Sequence, residues 1–231
     1  MPKKIFRSML YIVSVLVLPL LILLTSMELI TFNVNYYKAE YEKHDISKKL
    51  SIEESDLMDS TAKLLDYLRD DRKDLDFKAK IDGKEQDFFS SRDKMHMVDV
   101  KNLFIIGRII RNVIFIVLLL ISAIFIYNKK IRFDIGNFLL TSSIVGVLPI
   151  VILVILINID FYKYFTIFHE IFFTNDLWLL DPNADRLVNI FPESFFFDTA
   201  IKIIMYYLIV QLVLFILSMV FKYFKKQVNA R

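Results

Sequence analysis

Two histidines in this chain carry side chains suited to proton transfer. His169 sits at the start of the segment FHEIFFTNDLWLLDPNADRLVNIFPESFFFD, residues 168–198, which also holds the only tryptophan, Trp178, and five acidic residues before Asp198. His96 lies in the run Ser90-Ser91-Arg92-Asp93-Lys94-Met95-His96-Met97-Val98-Asp99. Imidazole titrates near neutral pH and can take up and return a proton. Each ring has carboxylates close in sequence to orient it: Asp99 for His96, and Glu170 or one of Asp176, Asp181 and Asp185 for His169. Paired imidazoles in an aromatic surround would suit chemistry on a lipid; the plain alternative is two unrelated histidines, each simply hydrogen-bonded. His44, in the charged run Glu40, Glu42, Lys43, Asp45, reads as part of a solvated face.

Other chemistries lack their residues. His169-Glu170 begins an H-E-x-x-H pattern, but Phe173 stands at the second histidine position. The chain has no cysteine, so a zinc site would need carboxylates to complete it, and thiolate nucleophiles and disulfides are excluded. Neither a G-x-S-x-G elbow nor a glycine-rich phosphate loop occurs among only four glycines. The expectation is a site with no metal and no cofactor.

The elements that must position these residues are membrane spans. Of the 231 residues 56% are hydrophobic, with 22 phenylalanines. About 20 consecutive apolar residues suffice for a helix to cross a hydrocarbon core about 30 Å thick. Four stretches qualify: Met9–Met27, continuing to Phe32 as residues 1–32; 103–127; 136–159; and Ile203–Phe221, within 199–224. The second includes Arg108 and Arg111, charges that inside a membrane face protein, water or an anionic group, or else snorkel to the interface. Glu28 is a potential partner for either. The N-terminal run reads as a retained anchor, since Leu24-Thr25-Ser26-Met27-Glu28 is a poor cleavage site.

Charge sets the orientation. Lys3, Lys4, Arg7, then Lys129, Lys130, Arg132 in the turn 128–135, then Lys222, Lys225, Lys226, Arg231 lie on one side, the last three near or in the tail 225–231. The intervening segments 33–102 and 160–198 carry net charges of −3 and −5. Both termini are therefore expected in the cytoplasm and both long segments outside. The basic residues mark topology rather than a nucleic-acid surface.

Within 33–102, Ser51-Ile52-Glu53-Glu54 has the form of a capping box opening a helix to about Arg69, with Leu57, Thr61, Leu64, Leu65 and Leu68 on its apolar face. Asp82-Gly83 predicts a hairpin turn between strands at 74–80 and 85–89. From Asp93 one continuous helix is expected to run into the second span, placing His96, Asp99, Leu103, Gly107 and Arg111 on one broad face. Residues 160–173 read as a short interfacial helix, Asp181-Pro182-Asn183 as a turn, and 185–191 as a second short helix. The fold class is an all-α integral membrane protein: four transmembrane helices with a small extracytoplasmic helix-plus-hairpin cap, and an interfacial site loop over 160–198.

Two stretches carry a family resemblance. His96-Met97-Val98-Asp99-Val100-Lys101 ahead of a membrane helix matches an H-M-x-D-V-K signature. A second signature covers Phe168–Phe173, Trp178, Asp181-Pro182, Asp185, Phe191-Pro192 and Phe195–Asp198. Together with the four-span layout, they make the chain similar to the lipoprotein intramolecular transacylase (Lit) family of Gram-positive bacteria. The resemblance implies a membrane acyltransferase that moves the sn-2 acyl chain of an S-diacylglyceryl lipoprotein to the α-amino group of its N-terminal cysteine, giving the lyso form. It implies diacylglyceryl lipoproteins and membrane phospholipid as partners, no nucleic acid, and no second lipid donor. The site then comprises His96, His169 and Asp99 as catalytic residues, with Arg108, Arg111, Glu170, Trp178, Asp181 and Asp185 toward the substrate. Which histidine is the base stays open, as do a lipid hydrolase using water and a transporter using the histidines for proton coupling. The nearly uncharged span interiors fit a transporter poorly.

Overall fold

The computed structural model describes residues 2–128 and 133–229. Lys129, Lys130, Arg132 and Arg231, on which the charge argument partly rests, lie outside them. In chain order the elements are α1 (Pro2–Thr31), α2 (Val34–Lys43), α3 (Ile46–Leu50), α4 (Glu54–Arg69), β1 (Lys78–Ile81), β2 (Lys84–Asp87), α5 (Ser91–Tyr127), α6 (Ile135–Ile159), α7 (Phe161–Phe172), α8 (Leu187–Ile190) and α9 (Glu193–Asn229). Four of them, α1, α5, α6 and α9, are long and apolar enough to cross a membrane. α5 and α9, 37 residues each, would span about 55 Å, well beyond a hydrocarbon core of about 30 Å.

The chain divides into two compact units. The first comprises Met1–Glu28, Ile109–Leu156 and Ile201–Arg231. Its outward apolar side chains, among them Leu120, Leu148, Ile152 and Leu212, are those a lipid phase would cover. Inside, Tyr11 donates to Thr141 Oγ1 at 3.2 Å, and Tyr207 and Gln211 are buried against Gly146. Arg111 pairs with Glu28 and also donates to Asn112 Oδ1, so the partner expected for one of the two arginines falls to Arg111. Lys225 pairs with Asp134 at 2.5 Å.

The second unit comprises Leu29–Arg108 and Ile157–Ala200. Its core forms where α4 buries Leu57, Thr61, Leu64, Leu65 and Leu68, the face expected from their spacing. The rings of Tyr37 and Tyr41 on α2 pack on Phe191 and Phe195, with ring centroids 5.5–6.4 Å apart. Asp82 and Gly83 both take positive φ, 51° and 73°, as a tight hairpin turn demands, and β1 pairs antiparallel with β2 in the register Lys78↔Asp87 to Ile81↔Lys84. The first strand starts later than the alternating pattern suggests because Arg72 donates to the carbonyls of Asp74 and Asp76 and holds that stretch in a turn.

The capping box expected at Ser51–Glu54 does not form. Ser51 is in the left-handed region, ends α3 and accepts from Asp82 N at 3.2 Å, while Ile52 pairs with Ile81; α4 starts without a side-chain cap. The local pattern loses to a β-bridge that joins the helix start to the hairpin. α2 and α3, which the sequence reading left unassigned, complete the unit. Arg108 donates to the carbonyls of Leu68 and Arg69 at 3.0 and 2.8 Å, capping the C-terminus of α4.

The glycines give a stability contrast. A Cβ at Gly146 would lie 2.5 Å from the Tyr207 hydroxyl oxygen and 2.9 Å from Pro19 Cβ, whereas one at Gly107 meets nothing within 4 Å. Gly146→Val is expected to cost about 1–3 kcal/mol through overpacking. Gly107→Ala is expected to be neutral or stabilising by up to about 1 kcal/mol, from helix propensity. Thermal unfolding of the purified protein in lipid checks both; an unchanged Gly146→Val midpoint contradicts the packing argument.

Candidate functional site

The site is built by two buried aspartates. Ser90 and Asp93 form a reciprocal cap on α5: Asp93 N donates to Ser90 Oγ at 2.9 Å and Ser90 N to Asp93 Oδ2 at 3.0 Å. The same Asp93 carboxylate, fully buried, accepts from Arg186 N at 3.0 Å and Leu187 N at 3.3 Å, fastening the start of α8 to the start of α5. Beside it, Asp185 accepts from Ser90 Oγ at 2.6 Å and from Asp181 N at 2.8 Å. Sequence segments some ninety residues apart are thereby locked together. In the sequence Asp93 read only as the start of a helix; its cap with Ser90 and its second use, as an acceptor for a distant backbone, were not read there.

One turn further along α5, His96 meets His169 of α7. The ring centroids are 6.2 Å apart at an interplanar angle of 33°, and the residues are 7% and 9% exposed, so both are buried. An aromatic cage encloses them. Trp178 stacks on His169 at 4.9 Å, Phe165 and Phe168 present edges to it at 4.4 and 5.5 Å, and Phe173 touches both imidazoles, at 5.3 Å from His96 and 5.6 Å from His169. Phe196, from the first turn of α9, packs on Phe165 at 4.7 Å. Phe165 was not singled out in sequence, where phenylalanine is too common to discriminate; Phe168 and Phe173 entered only as parts of the second signature.

The two rings have different hydrogen-bond states. His169 Nδ1 lies 2.7 Å from the carbonyl oxygen of Phe165. A carbonyl only accepts, so Nδ1 carries the proton and Nε2 keeps its lone pair. Burial pushes the His169 imidazolium below the ordinary histidine range, and the Phe165 bond only partly offsets it. His96 Nδ1 is buried with no hydrogen bond among the described residues. A buried polar atom left unmatched in this way is where a ligand atom would bind.

Of the other candidate residues, Trp178 alone contacts an imidazole. Asp99 is engaged elsewhere: its Oδ2 accepts from Asn175 Nδ2 at 2.9 Å. Glu170 is exposed. Asp181 caps a turn through Asn183 N at 2.9 Å, and Asp185 anchors the loop. Arg108 and Arg111 are engaged by α4 carbonyls and by Glu28, respectively.

His44 is not the solvated residue expected. Its Nε2 lies 3.0 Å from Asp198 Oδ2 and 3.4 Å from Glu40 Oε2, because α2 lays its one helical face on the first turns of α9. Glu40, His44 and Asp198 each bring one donor atom within 4.8 Å of the others, a set able to hold a cation. Lys43 Nζ, 2.5 Å from Asp198 Oδ2, already supplies a positive charge there.

Four membrane-length helices and a buried imidazole pair caged by aromatic rings define a multi-pass membrane protein with two titratable side chains held together in an apolar setting. The chain matches the lipoprotein intramolecular transacylase Lit family over residues 12–196 and belongs to it. Its fold is that of the membrane integral lipoprotein intramolecular transacylase Lit from Bacillus cereus: TM-score 0.80, 20% identity, covering 97% of this chain and 99% of that one. Two single-histidine variants of the B. cereus protein, to alanine and to arginine, each superpose with TM-score 0.76 at 20% identity, covering 97% and 99% of this chain and 97% and 96% of theirs. No curated protein sequence matches the chain. The protein is a transferase of this family, acting by intramolecular acyl transfer on lipoproteins.

Two measurements follow from this geometry. With a single tryptophan stacked on His169, emission from Trp178 should titrate with that imidazole, with a midpoint below the ordinary value of about 6.5. A midpoint at or above it contradicts the burial argument, and a His169→Gln control identifies the titrating group. Asp93→Ala leaves the Arg186 and Leu187 amides without their acceptor and should destabilise the protein by about 1–3 kcal/mol, seen as a lowered unfolding midpoint.

Proposed function

We propose that the protein moves the sn-2 acyl chain of an S-diacylglyceryl lipoprotein to the α-amino group of its N-terminal cysteine, with His169 as the base and His96 holding the developing oxyanion. The observation that carries the assignment is the hydrogen-bond difference between the rings: His169 Nε2 bears a lone pair, while His96 has an unmatched buried nitrogen. An α-amine is mostly protonated at neutral pH, its ordinary pKa being about 7.7–8.0. Its neutral form attacks the ester carbonyl, and His169 Nε2 accepts the proton released as the N–C bond forms. The tetrahedral oxyanion takes a hydrogen bond from the Nδ1–H of neutral His96. As the ester C–O bond breaks, the His169 imidazolium returns its proton to the departing glyceryl oxygen. The product is N-acyl, S-monoacylglyceryl; no oxidant, second lipid or cofactor enters the balance.

Topology and environment support this reading. The charge pattern favours cytoplasmic termini, with residues 33–102 and 160–198 facing the outer leaflet, where diacylated lipoproteins are anchored. Residues 91–102 then lie above the apolar stretch that begins at Leu103. Burial, reinforced by the proximity of His169, pushes the His96 pKa down to about 4. Burial lowers the His169 pKa as well, which favours the neutral imidazoles that a base and a neutral hydrogen-bond donor require. Ester and amine belong to one molecule, so confinement in the aromatic cage favours their encounter over attack by water.

Mass spectrometry of a lipoprotein's N-terminal peptide, from cells with and without this protein, tests the reaction. The expected product is N-acylated with the total acyl count unchanged. A free N-terminus contradicts transacylation, and loss of one acyl chain without N-acylation identifies hydrolysis instead. His169→Ala should lower the rate by about 10²–10⁴-fold, and His96→Ala by about 10²–10³-fold; full activity in either refutes its role.

A further inference from the structure

Arg92, His96 and Asp99 recur at i, i+4 and i+7 on α5 and so share one helix face. The flanking two reach across to the same segment, 174–180. Arg92 donates through Nε to the Leu179 carbonyl at 3.1 Å and through its terminal nitrogen to the Asp176 carbonyl. Asp99 Oδ2 accepts from Asn175 Nδ2 at 2.9 Å, and Asn175 Oδ1 accepts from Leu177 N at 3.0 Å. The amide orientation of Asn175 is set from both sides, since a carboxylate cannot donate and a backbone N–H cannot accept. The segment so fastened carries Trp178, which closes one face of His169.

We propose that Asn175, with Arg92 and Asp99, is a positioning residue for the acyl transfer. Two clips, one turn to either side of His96, hold the 174–180 segment so that Trp178 seats on His169. On this account Asp99 acts through Asn175 rather than by orienting His96. The role rests on the proposed assignment of His169 as base, but the seating of Trp178 has its own readout. His169 is held at Nδ1 only by a carbonyl of its own helix; its ring plane is otherwise set by what packs on it. A freed 174–180 segment would open the cage to water and leave that plane undefined.

The test is a charge swap at the Asp99–Asn175 pair. Asn175→Asp opposes two carboxylates and should release the clip. The double variant Asp99→Asn with Asn175→Asp restores it, the amide at position 99 donating to the carboxylate at position 175. Trp178 quenching by acrylamide and the N-acylation rate are read on each, in lipid. In Asn175→Asp, quenching should rise and the rate fall about ten- to hundredfold, the loss of a hydrogen bond to a charged group; in the double variant both should return to within about threefold of the original. Arg92→Gln should move both readouts in the same direction, and it serves if Asn175→Asp does not fold. Unchanged quenching or an unchanged rate in the folded single variants overturns the proposal, as does a folded double variant that recovers neither. If the unsubstituted protein does not N-acylate, the proposed reaction fails, while the quenching series still judges whether the clips seat Trp178.

Discussion

The fully buried carboxylate of Asp93 is the contact on which the site depends. It accepts hydrogen bonds from the backbone of Ser90, Arg186 and Leu187, so that one side chain caps α5 and holds the start of α8. Net hydrogen bonds to a charged acceptor contribute about 1.5–3 kcal/mol each, and a buried charge without such partners would be strongly unfavourable. The carboxylate therefore tolerates burial only when both segments are in place. Asp185, accepting from Ser90 Oγ and Asp181 N, repeats the logic on the hydroxyl of the same cap.

From that anchor the remaining contacts follow in sequence. α5 leaves its cap with Arg92, His96 and Asp99 on one face; α7 supplies His169, and the chain after it returns along α5 under the clips at Asn175 and Arg92. The rings of Phe165, Phe173 and Trp178 then fill the space around the two imidazoles. Burial among these rings pushes both imidazole pKa values down, and a low-dielectric surround strengthens any interaction with charge that develops on a substrate. Polar backbone anchoring and apolar site lining are thus two parts of one arrangement: the aspartates fasten the segments, and the rings enclose His96 and His169.

The arginines show how burial reassigns charged residues. Arg108 and Arg111 looked available to an anionic lipid group, but each is engaged by protein: Arg108 by the free carbonyls at the end of α4, Arg111 by Glu28. A helix C-terminus leaves carbonyls that need donors, and a carboxylate at the membrane boundary needs a counter-charge. Those demands are met from within the fold. His44 was reassigned in the same way, from a solvated face to the carboxylates of Glu40 and Asp198.

Much of this protein was legible from local sequence. Apolar runs of about 20 residues are long enough to cross a bilayer as helices, which satisfy their own backbone groups, so the four long helices could be read directly; the leucine face of α4 and the Asp82-Gly83 turn likewise depend on spacing and on the steric freedom of a few residues. His96 and His169 stood out because histidine is rare in this chain, three of 231 residues, and each of these two has carboxylates close in sequence. Tertiary structure decided what depends on pairing distant segments. It determined that Ser51 closes a helix rather than opening one, that Asp99 accepts a hydrogen bond from Asn175, and that Asp93 joins the segments flanking the two signatures. It also set the tautomer of His169, through a carbonyl one turn away. Periodicity and composition report a residue's preference for an environment; the identity of its partner depends on which segments the fold has already brought together.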